Sequence, residues 1–377
     1  MARMRLNFPG MDQAAALAIR ALAAAPLTLP VNVAGGVARA AARAFATSRI
    51  NRKKFPRATS NLADAFPGMP EERIRELAIG AYEHLFQLGI EVLYAPRLIT
   101  EDAFQRHLDI RALSSAAQVM IEGGPCILIS GHVGNWELIG YSVSMLGFPM
   151  HAVYRPLDLK PLDAWVRETR ERQGLTLVSK FGAVRALPPV LAAGQPVGLV
   201  ADQNGGDRGV FTPFFGRLAS TYKSIGILAM QSRAKIICGY ARRLRPDEPD
   251  PDGDSKFANP FRIGQASMRY KAEVVDIFGP EAWENHPDPL YYLTARYRKA
   301  MEQMVTQSPE QYLWMHRIWR SRPHHERADK PFPAALREKL RSLPWMTEEA
   351  IDRVADRSDR DRARLHGREI AGEVHIG

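Results

Sequence analysis

A histidine and a glutamate follow directly on an apolar run that has the length and composition of a buried strand. The run CILIS covers residues 126–130, and the next residues read GHVGNWE, which places His132 and Glu137 just beyond its end. Imidazole is the side chain best suited to proton transfer near neutral pH, and a carboxylate that holds one ring nitrogen leaves the other free as a base. The two residue types therefore suggest a general base with a supporting acid.

The spacing of these two residues restricts where they can lie. Five residues along one helix turn a side chain about 140° around the axis, so the pair meets only if His132 stands in a turn and Glu137 in the first turn of the next helix. Gly131 and Gly134 allow such a turn. The motif offers no serine or cysteine as a nucleophile, which fits a base that activates a substrate hydroxyl for direct attack on an acyl group. The simpler alternative is a histidine that caps the helix, and the glycines, Asn135 and Glu137 weaken it.

Short apolar runs alternate with helical patterns along the middle of the chain. The strand-like runs cover residues 126–130, 151–154, 196–201, 234–240 and 270–277. The helical patterns between and before them cover residues 67–93, 162–174 and 220–233. This alternation predicts an α/β fold with a central mixed sheet flanked by helices. Functional groups in such folds gather where strands end and helices begin, so side chains that follow a strand are candidates for the site.

The first sixty residues carry almost all of the net charge. They hold ten lysines and arginines and one acid, and so supply +9 of the formal charge of +10. Residues 21–38 are uncharged, but Pro26, Pro30 and two glycines interrupt them, whereas a spanning helix needs about 20 strongly apolar residues. Two interpretations fit this pattern equally: a helical segment that lies on an anionic membrane surface, and an ordinary amphipathic helix packed on the domain. Nucleic-acid binding is not expected, because no known motif accompanies the charges.

The motif GHVGNWE resembles the signature of the lipid A biosynthesis acyltransferases, the lauroyl and myristoyl transferases within the lysophospholipid acyltransferase superfamily. That superfamily is defined by a histidine, four residues and an acid, which His132 and Glu137 match. Further blocks that resemble the family in order cover residues 61–73, 155–187, 194–220 and 309–323. The chain departs from the family at Leu159, where an asparagine is frequent, and at Ile318, where an arginine is frequent. The resemblance extends from about residue 60 to residue 325.

The resemblance implies a glycerolipid acyltransferase-like fold and direct acyl transfer. A hydroxyl of a membrane glycolipid would attack a thioester carried by acyl carrier protein or coenzyme A, with His132 taking the proton and Glu137 supporting the imidazolium. The side chains expected to bind substrate are Arg155, Asn135, Asp202, Gln203 and Arg317. No cofactor or metal is implied. The expected location is the cytoplasmic face of the inner membrane, peripheral or monotopic.

Structural roles remain open for several of these residues. Arg155 follows a predicted strand and could equally form a surface salt bridge, while Asp202 and Gln203 could cap a strand end. Asn135 could simply shape the turn that carries His132. His316 is expected to be a packed structural histidine. Phe214 and Phe215 are expected in the core, although they could line an acyl groove.

The motifs leave other acyl acceptors and other functions open. A lysophospholipid or a mannosylated phosphoinositide could replace the lipid A precursor, and water in its place would make the protein a thioester hydrolase. A lipid-binding protein without activity would be expected to have lost the histidine or the acid.

We divide the chain into a basic, apolar segment at 1–60, a catalytic domain at 61–325 and a charged, helical extension at 326–377. Residues 244–261 are expected to form an exposed loop, and the two cysteines to be buried, reduced thiols.

Overall fold

A computed structural model describes residues 11–100, 107–171, 174–245, 248 and 268–368 of the chain. Most of the loop predicted at 244–261 lies outside the described residues, as do Arg3, Arg5 and the end of the charged extension. The helices are α1 (Met11–Ala24), α2 (Val31–Ala46), α3 (Phe55–Ala65), α4 (Glu71–Leu98), α5 (Ser114–Glu122), α6 (Trp136–Met145), α7 (Lys160–Glu171), α8 (Ala183–Ala192), α9 (Lys223–Ser232), α10 (Pro289–Gln307), α11 (His324–Arg327), α12 (Ala334–Arg341) and α13 (Glu348–Leu365).

Seven strands form one mixed sheet, which confirms the predicted fold class. The strands of the chain are β1 (Leu108–Asp109), β2 (Cys126–Ser130), β3 (Met150–Tyr154), β4 (Leu175–Ser179), β5 (Val197–Val200), β6 (Val210–Phe214), β7 (Arg217–Thr221), β8 (Lys235–Arg243) and β9 (Tyr270–Phe278). The sheet has the order β1-β9-β8-β2-β5-β3-β4, while β6 and β7 form a separate antiparallel hairpin. All neighbours in the large sheet are parallel except β8 and β9.

Strand β2 lies near the centre of this sheet and is buried on both faces. Ile127 and Ile129 pack against the layer that contains α3, α4, α8, α9 and α10. Cys126 and Leu128 point the other way and pack with residues of α5 and α6. Helices on both faces explain why the strand is apolar throughout instead of alternating with polar residues. The residues that follow it are therefore held at the carboxyl edge of the sheet by a rigid core.

The N-terminal segment is helical and is broken between α1 and α2 by Pro26 and Pro30. Helix α2 packs on α4 through small side chains, among them Ala34, Ala38 and Ala42, which allow a close approach. The opposite faces of α1 and α2 leave several large apolar side chains exposed: Leu17, Leu22, Val33 and Val37. Among the described residues, no helix is both long enough and apolar enough to cross a membrane.

The charged C-terminal extension folds back onto the catalytic region through buried ion pairs. Asp361 of α13 accepts hydrogen bonds from Arg217 of β7 and from Arg322, each at 2.7 Å. Arg322 also donates to Glu326, and both side chains of that pair are buried. A buried carboxylate is retained only when it is paired, so α13 is fixed on the hairpin that lies beside the site.

Candidate active site

His132 stands in a turn between β2 and α6 that its neighbours fix from outside. The backbone N–H of Gly134 donates to Gln311 at 3.1 Å, and that of Asn135 donates to Ala241 at 2.8 Å. Gly134 has a φ of +61°, and a Cβ at this position would overlap the carbonyl oxygen of Ala241. A glycine is therefore required here, and the turn has little freedom to move. The predicted placement of His132 in the turn and Glu137 in the first turn of α6 is confirmed.

The ring of His132 is held by Asp202, which follows β5. Nδ1 lies 2.7 Å from Oδ1 of Asp202, and the backbone N–H of His132 donates to Oδ2 at 3.0 Å. Strands β2 and β5 are parallel neighbours, so their carboxyl ends bring the two residues together across 70 positions of sequence. The carboxylate is 2% exposed, and this double contact fixes both the position of the ring and its tautomer. With the proton on Nδ1, Nε2 is free to accept one.

The prediction that Glu137 forms a hydrogen bond with His132 is wrong. Glu137 forms an ion pair with Arg170 of α7, while Asp202 occupies the ring nitrogen that Glu137 was expected to hold. The physical reason is the direction of the side chain, because Asn135 caps α6 and the first turn of this helix carries the Glu137 side chain across to Arg170 of α7. Glu137 still lies close enough for its charge to act on the ring. Its charge favours the protonated ring of His132, but less strongly than the charge and the hydrogen bond of Asp202.

The surroundings of His132 raise its pKa above the ordinary value. Burial alone would lower this pKa, but the negative charge and hydrogen bond of Asp202 outweigh burial, and the charge of Glu137 adds to them. Burial would raise the pKa of Asp202, but His132 and the more distant Arg298 hold it well below its usual range. Asp202 is therefore ionised at neutral pH. A base that is strengthened by a fixed carboxylate is suited to take a proton from a hydroxyl group.

Arg298 of α10 lies directly behind this pair. Its Nη1 donates to the backbone carbonyl of Asp202 at 2.9 Å, and its guanidinium carbon lies 4.0 Å from the ring centre of Phe214. The arginine is fully buried. Sequence reasoning missed it, because it lies in mid-helix 96 residues from Asp202 and no strand end marks it. Phe214 is confirmed as a core residue and lies beneath this arginine.

A second histidine lies against the ring of His132. The ring centres of His132 and His316 are 5.1 Å apart, and Trp136 packs edge-on against His132 at 4.9 Å. Burial and the nearby His132 lower the pKa of His316 to about 4, so His316 is neutral at neutral pH. The half-buried His316 thus packs directly on the ring of His132, and the sequence-based prediction of a packed structural histidine is compatible with this contact.

A large cavity of about 1060 Å³ opens beside His132. The register between β3 and β5 ends at Ala152–Gly198, whereas β2–β5 and β3–β4 remain paired to the ends of the strands. Strands β3 and β5 therefore diverge towards the edge that carries the site. Most of the lining is apolar and comes from both helix layers, including Val143 of α6 and Leu228 of α9. Volume and lining are those of a site for a long apolar ligand.

The remaining predicted site residues separate into two groups. Gln203 and Arg155 line the cavity, and the amide nitrogen of Gln203 lies 3.5 Å from Nε2 of His132. Asn135 is 1% exposed and its side-chain oxygen caps α6 at the N–H of Leu138, so it shapes the turn. Arg317 is exposed next to His316 and lies outside the cavity lining. Arg170 does line the cavity and was missed, although it falls within one of the matched blocks.

Comparison with known proteins places these residues in a family context. The model of the family described as bacterial lipid A biosynthesis acyltransferase matches residues 11–246, which include His132, Glu137 and Asp202. The chain is 25% identical over 286 residues to a lipid A biosynthesis acyltransferase of Haemophilus influenzae, covering 73% of this chain and 78% of that protein. It is 24% identical over 270 residues to the lipid A biosynthesis lauroyltransferase of Escherichia coli, covering 70% and 78%. Over 273 residues it is 24% identical to the palmitoleoyltransferase of the same bacterium, covering 71% and 78%.

Proposed function

The chain belongs to the bacterial lipid A biosynthesis acyltransferase family, and on that premise we propose that it moves a fatty acyl chain from an acyl thioester to a hydroxyl of a lipid A precursor or related glycolipid. One observation carries the proposal beyond the family. A histidine whose Nδ1 is fixed by a buried carboxylate stands at the edge of a large apolar cavity. A base for the hydroxyl and space for the acyl chain are thus adjacent.

The reaction follows from the free nitrogen of His132. Nε2 accepts the proton of the acceptor hydroxyl while its oxygen attacks the thioester carbonyl, and Asp202 stabilises the imidazolium that forms. The tetrahedral intermediate collapses with cleavage of the carbon–sulfur bond. The departing thiolate takes the proton from Nε2, which restores the neutral imidazole. The products are an ester and a free thiol, and no acyl-enzyme is formed.

The oxyanion of the intermediate needs a fixed hydrogen-bond donor. The backbone N–H groups of His132 and Gly134 are already bonded to Asp202 and to Gln311. The amide nitrogen of Gln203 lies 3.5 Å from Nε2 of His132, so it can donate to an oxyanion that forms beside this base. We assign this role to Gln203. Arg155 at the rim of the cavity is then available for a phosphate of either substrate.

The acyl chain would enter the opening between β3 and β5. Its apolar lining excludes water from the chain and leaves the thioester at the polar edge, beside His132. The exposed apolar faces of α1 and α2, with the arginines that flank them, support a peripheral membrane location for the enzyme. On the cytoplasmic face of the inner membrane it would meet acyl carrier protein, an acidic donor that favours a basic docking face.

The test is acyl transfer from labelled acyl carrier protein to a lipid A precursor, with wild type, His132→Ala and His324→Ala compared. His324 is an exposed histidine on α11 and controls for the loss of any imidazole. We expect loss of transfer in His132→Ala and wild-type activity in His324→Ala. Equal activity in the first variant would exclude His132 as the base. Transfer only to a lysophospholipid would keep the chemistry and reject the acceptor. Release of free fatty acid with no transfer to any acceptor would instead identify a thioester hydrolase.

A further inference from the structure

The turn between β4 and α8 exposes two large apolar side chains. We call residues 180–186 the β4–α8 tip. Phe181 is 72% exposed and Val184 is 75% exposed, whereas side chains of this kind are usually buried. Gly182, with a φ of +111°, ends the turn and starts α8, so the two side chains project from a defined bend. An exposed apolar tip with a fixed shape is a feature of a contact surface.

The charged side chains of the tip itself have one sign. Residues 172–201 contain three basic side chains and no acid, and two of the three, Lys180 and Arg185, lie in the tip. Both are exposed, and the Nζ of Lys180 lies 5.0 Å from the ring centre of Phe181. Apolar side chains interleaved with cations match the interface of an anionic bilayer, where the rings enter the headgroup region and the cations meet the lipid phosphates.

The tip also forms part of the rim of the acyl cavity. Lys180 and Val184 line it, together with the exposed Leu157 at the start of the α7 connection. Helix α1 also lies close to the cavity. The guanidinium carbon of Arg20 is 5.6 Å from the ring centre of Trp165 on α7, which lines the cavity too. Segments far apart in sequence thus place exposed apolar side chains around one opening.

We propose that the β4–α8 tip is a second membrane contact, which seats the opening of the acyl cavity on an anionic bilayer. The proposal rests on the proposed function, in which the acyl acceptor is a membrane lipid. Cations alone would suit an acidic carrier protein equally well. The bilayer is the better occupant because Phe181 and Val184 gain from an apolar environment, and because α1 extends the apolar surface beyond the cavity rim.

The first experiment measures binding of the full-length protein to vesicles of phosphatidylcholine with and without phosphatidylglycerol. We compare Phe181→Ser with Ile121→Ser, a matched control that is 70% exposed on α5. The neighbouring Glu122 pairs with Lys235 at the start of β8. This control therefore lies at the amino end of β8, whereas the β4–α8 tip follows the carboxyl end of β4. Phe181→Ser should bind anionic vesicles about tenfold more weakly than wild type. Ile121→Ser should bind as wild type does.

If α1 supplies most of the affinity for vesicles, a measurement of how deeply residue 181 enters the bilayer still tests the proposal. Both native cysteines are buried, so Phe181→Cys can be labelled selectively with an environment-sensitive dye, and Ile121→Cys serves as its control. We expect brominated lipids to quench the dye at position 181 and to leave the dye at position 121 unaffected. An unquenched dye at 181, together with undiminished vesicle binding of Phe181→Ser, would overturn the proposal.

Activity in detergent separates this proposal from the proposed function. Phe181 lies outside the cavity lining, so Phe181→Ser should transfer acyl chains to a detergent-dispersed acceptor at the wild-type rate. Wild-type transfer combined with an unquenched dye would reject the membrane contact and leave the acyltransferase assignment intact. A raised KM for acyl carrier protein in detergent, with vesicle binding unchanged, would identify the tip as a carrier-protein contact and so reject the bilayer.

Discussion

Replacement of Asp202 by asparagine removes the charge beside His132 and keeps the shape of the side chain. In the native site one carboxylate oxygen holds Nδ1 at 2.7 Å and the other accepts the backbone N–H at 3.0 Å. An amide that turns its NH₂ group towards Nδ1 forces the ring proton onto Nε2, which can then no longer act as a base. A loss of about 10⁴-fold accompanies the same change in serine protease triads. That factor corresponds to about 5 kcal/mol of transition-state stabilisation.

The pH dependence gives a second, independent measure of the same contact. In the proposed mechanism His132 acts in its neutral form, so kcat/KM should rise with pH through the raised pKa of His132. Asp202→Asn removes the negative charge that does most to raise the pKa of His132, so the rise of kcat/KM should move to lower pH. Glu137→Gln removes only a smaller supporting charge, so the pH at which kcat/KM rises should move in the same direction by a smaller amount.

The assay is kcat/KM for acyl transfer at saturating acceptor across the neutral pH range, with circular dichroism to establish that each variant is folded. The structure requires the order Asp202→Asn, then Glu137→Gln, then wild type for the displacement of the rise of kcat/KM. A larger displacement in Glu137→Gln would mean that Glu137 is the principal support of the base. Full activity in Asp202→Asn would refute the assignment of the tautomer to Asp202.

Three further predictions concern the turn, a buried histidine and the cavity. Gly134→Ala should abolish transfer and cost about 2–4 kcal/mol in urea unfolding, because of the overlap with Ala241 and the left-handed φ; Gly89→Ala, with open space on α4, should slightly stabilise the fold. Burial and Arg243 lower the pKa of His84 to about 3, so the free energy of unfolding should fall as pH drops from about 6.5 towards 3. His84→Gln, which can keep the donor to the carbonyl of Gly134, should make the free energy of unfolding in urea titrations less dependent on pH. An unchanged pH dependence would exclude His84 as its source. A tryptophan in place of the cavity-lining Leu177 should shift preference to shorter acyl donors in a chain-length series, and an unchanged preference would place the acyl chain elsewhere.

Local sequence patterns located the elements of the site but left the partner of His132 unidentified. Strand β2 has the predicted bounds, and the glycines after it indicated the turn correctly. Strand β2 lies between β8 and β5, and that strand order depends on packing of the whole sheet, which no local pattern encodes. Asp202 was therefore recognised as a strand-end residue without its contact to His132. Glu137, five residues away, was chosen as the partner because proximity in sequence was the available criterion.

The cavity could not be predicted for a related reason. It forms because the register between β3 and β5 stops at Ala152–Gly198 while the flanking pairs continue. Each strand by itself is an ordinary apolar run, and divergence is a property of the pair. Arg298 illustrates the same limit, since a buried arginine in mid-helix is recognised only when its hydrogen bond to Asp202 is seen. The β4–α8 tip, in contrast, could have been noticed in the sequence as a long stretch without acids.

The contacts of the two adjacent histidines account for the choice of His132 as the base in the proposed mechanism. Two imidazolium ions with ring centres 5.1 Å apart would repel each other, so at most one ring should be charged at a time. Burial and the neighbouring ring hold the pKa of His316 near 4, whereas Asp202 raises that of His132. In the proposed reaction, the proton taken from the acceptor would therefore stay on His132 until the thiolate leaves. The neutral His316 does not compete for that proton, so the division of roles between two identical side chains depends on which of them contacts the buried carboxylate.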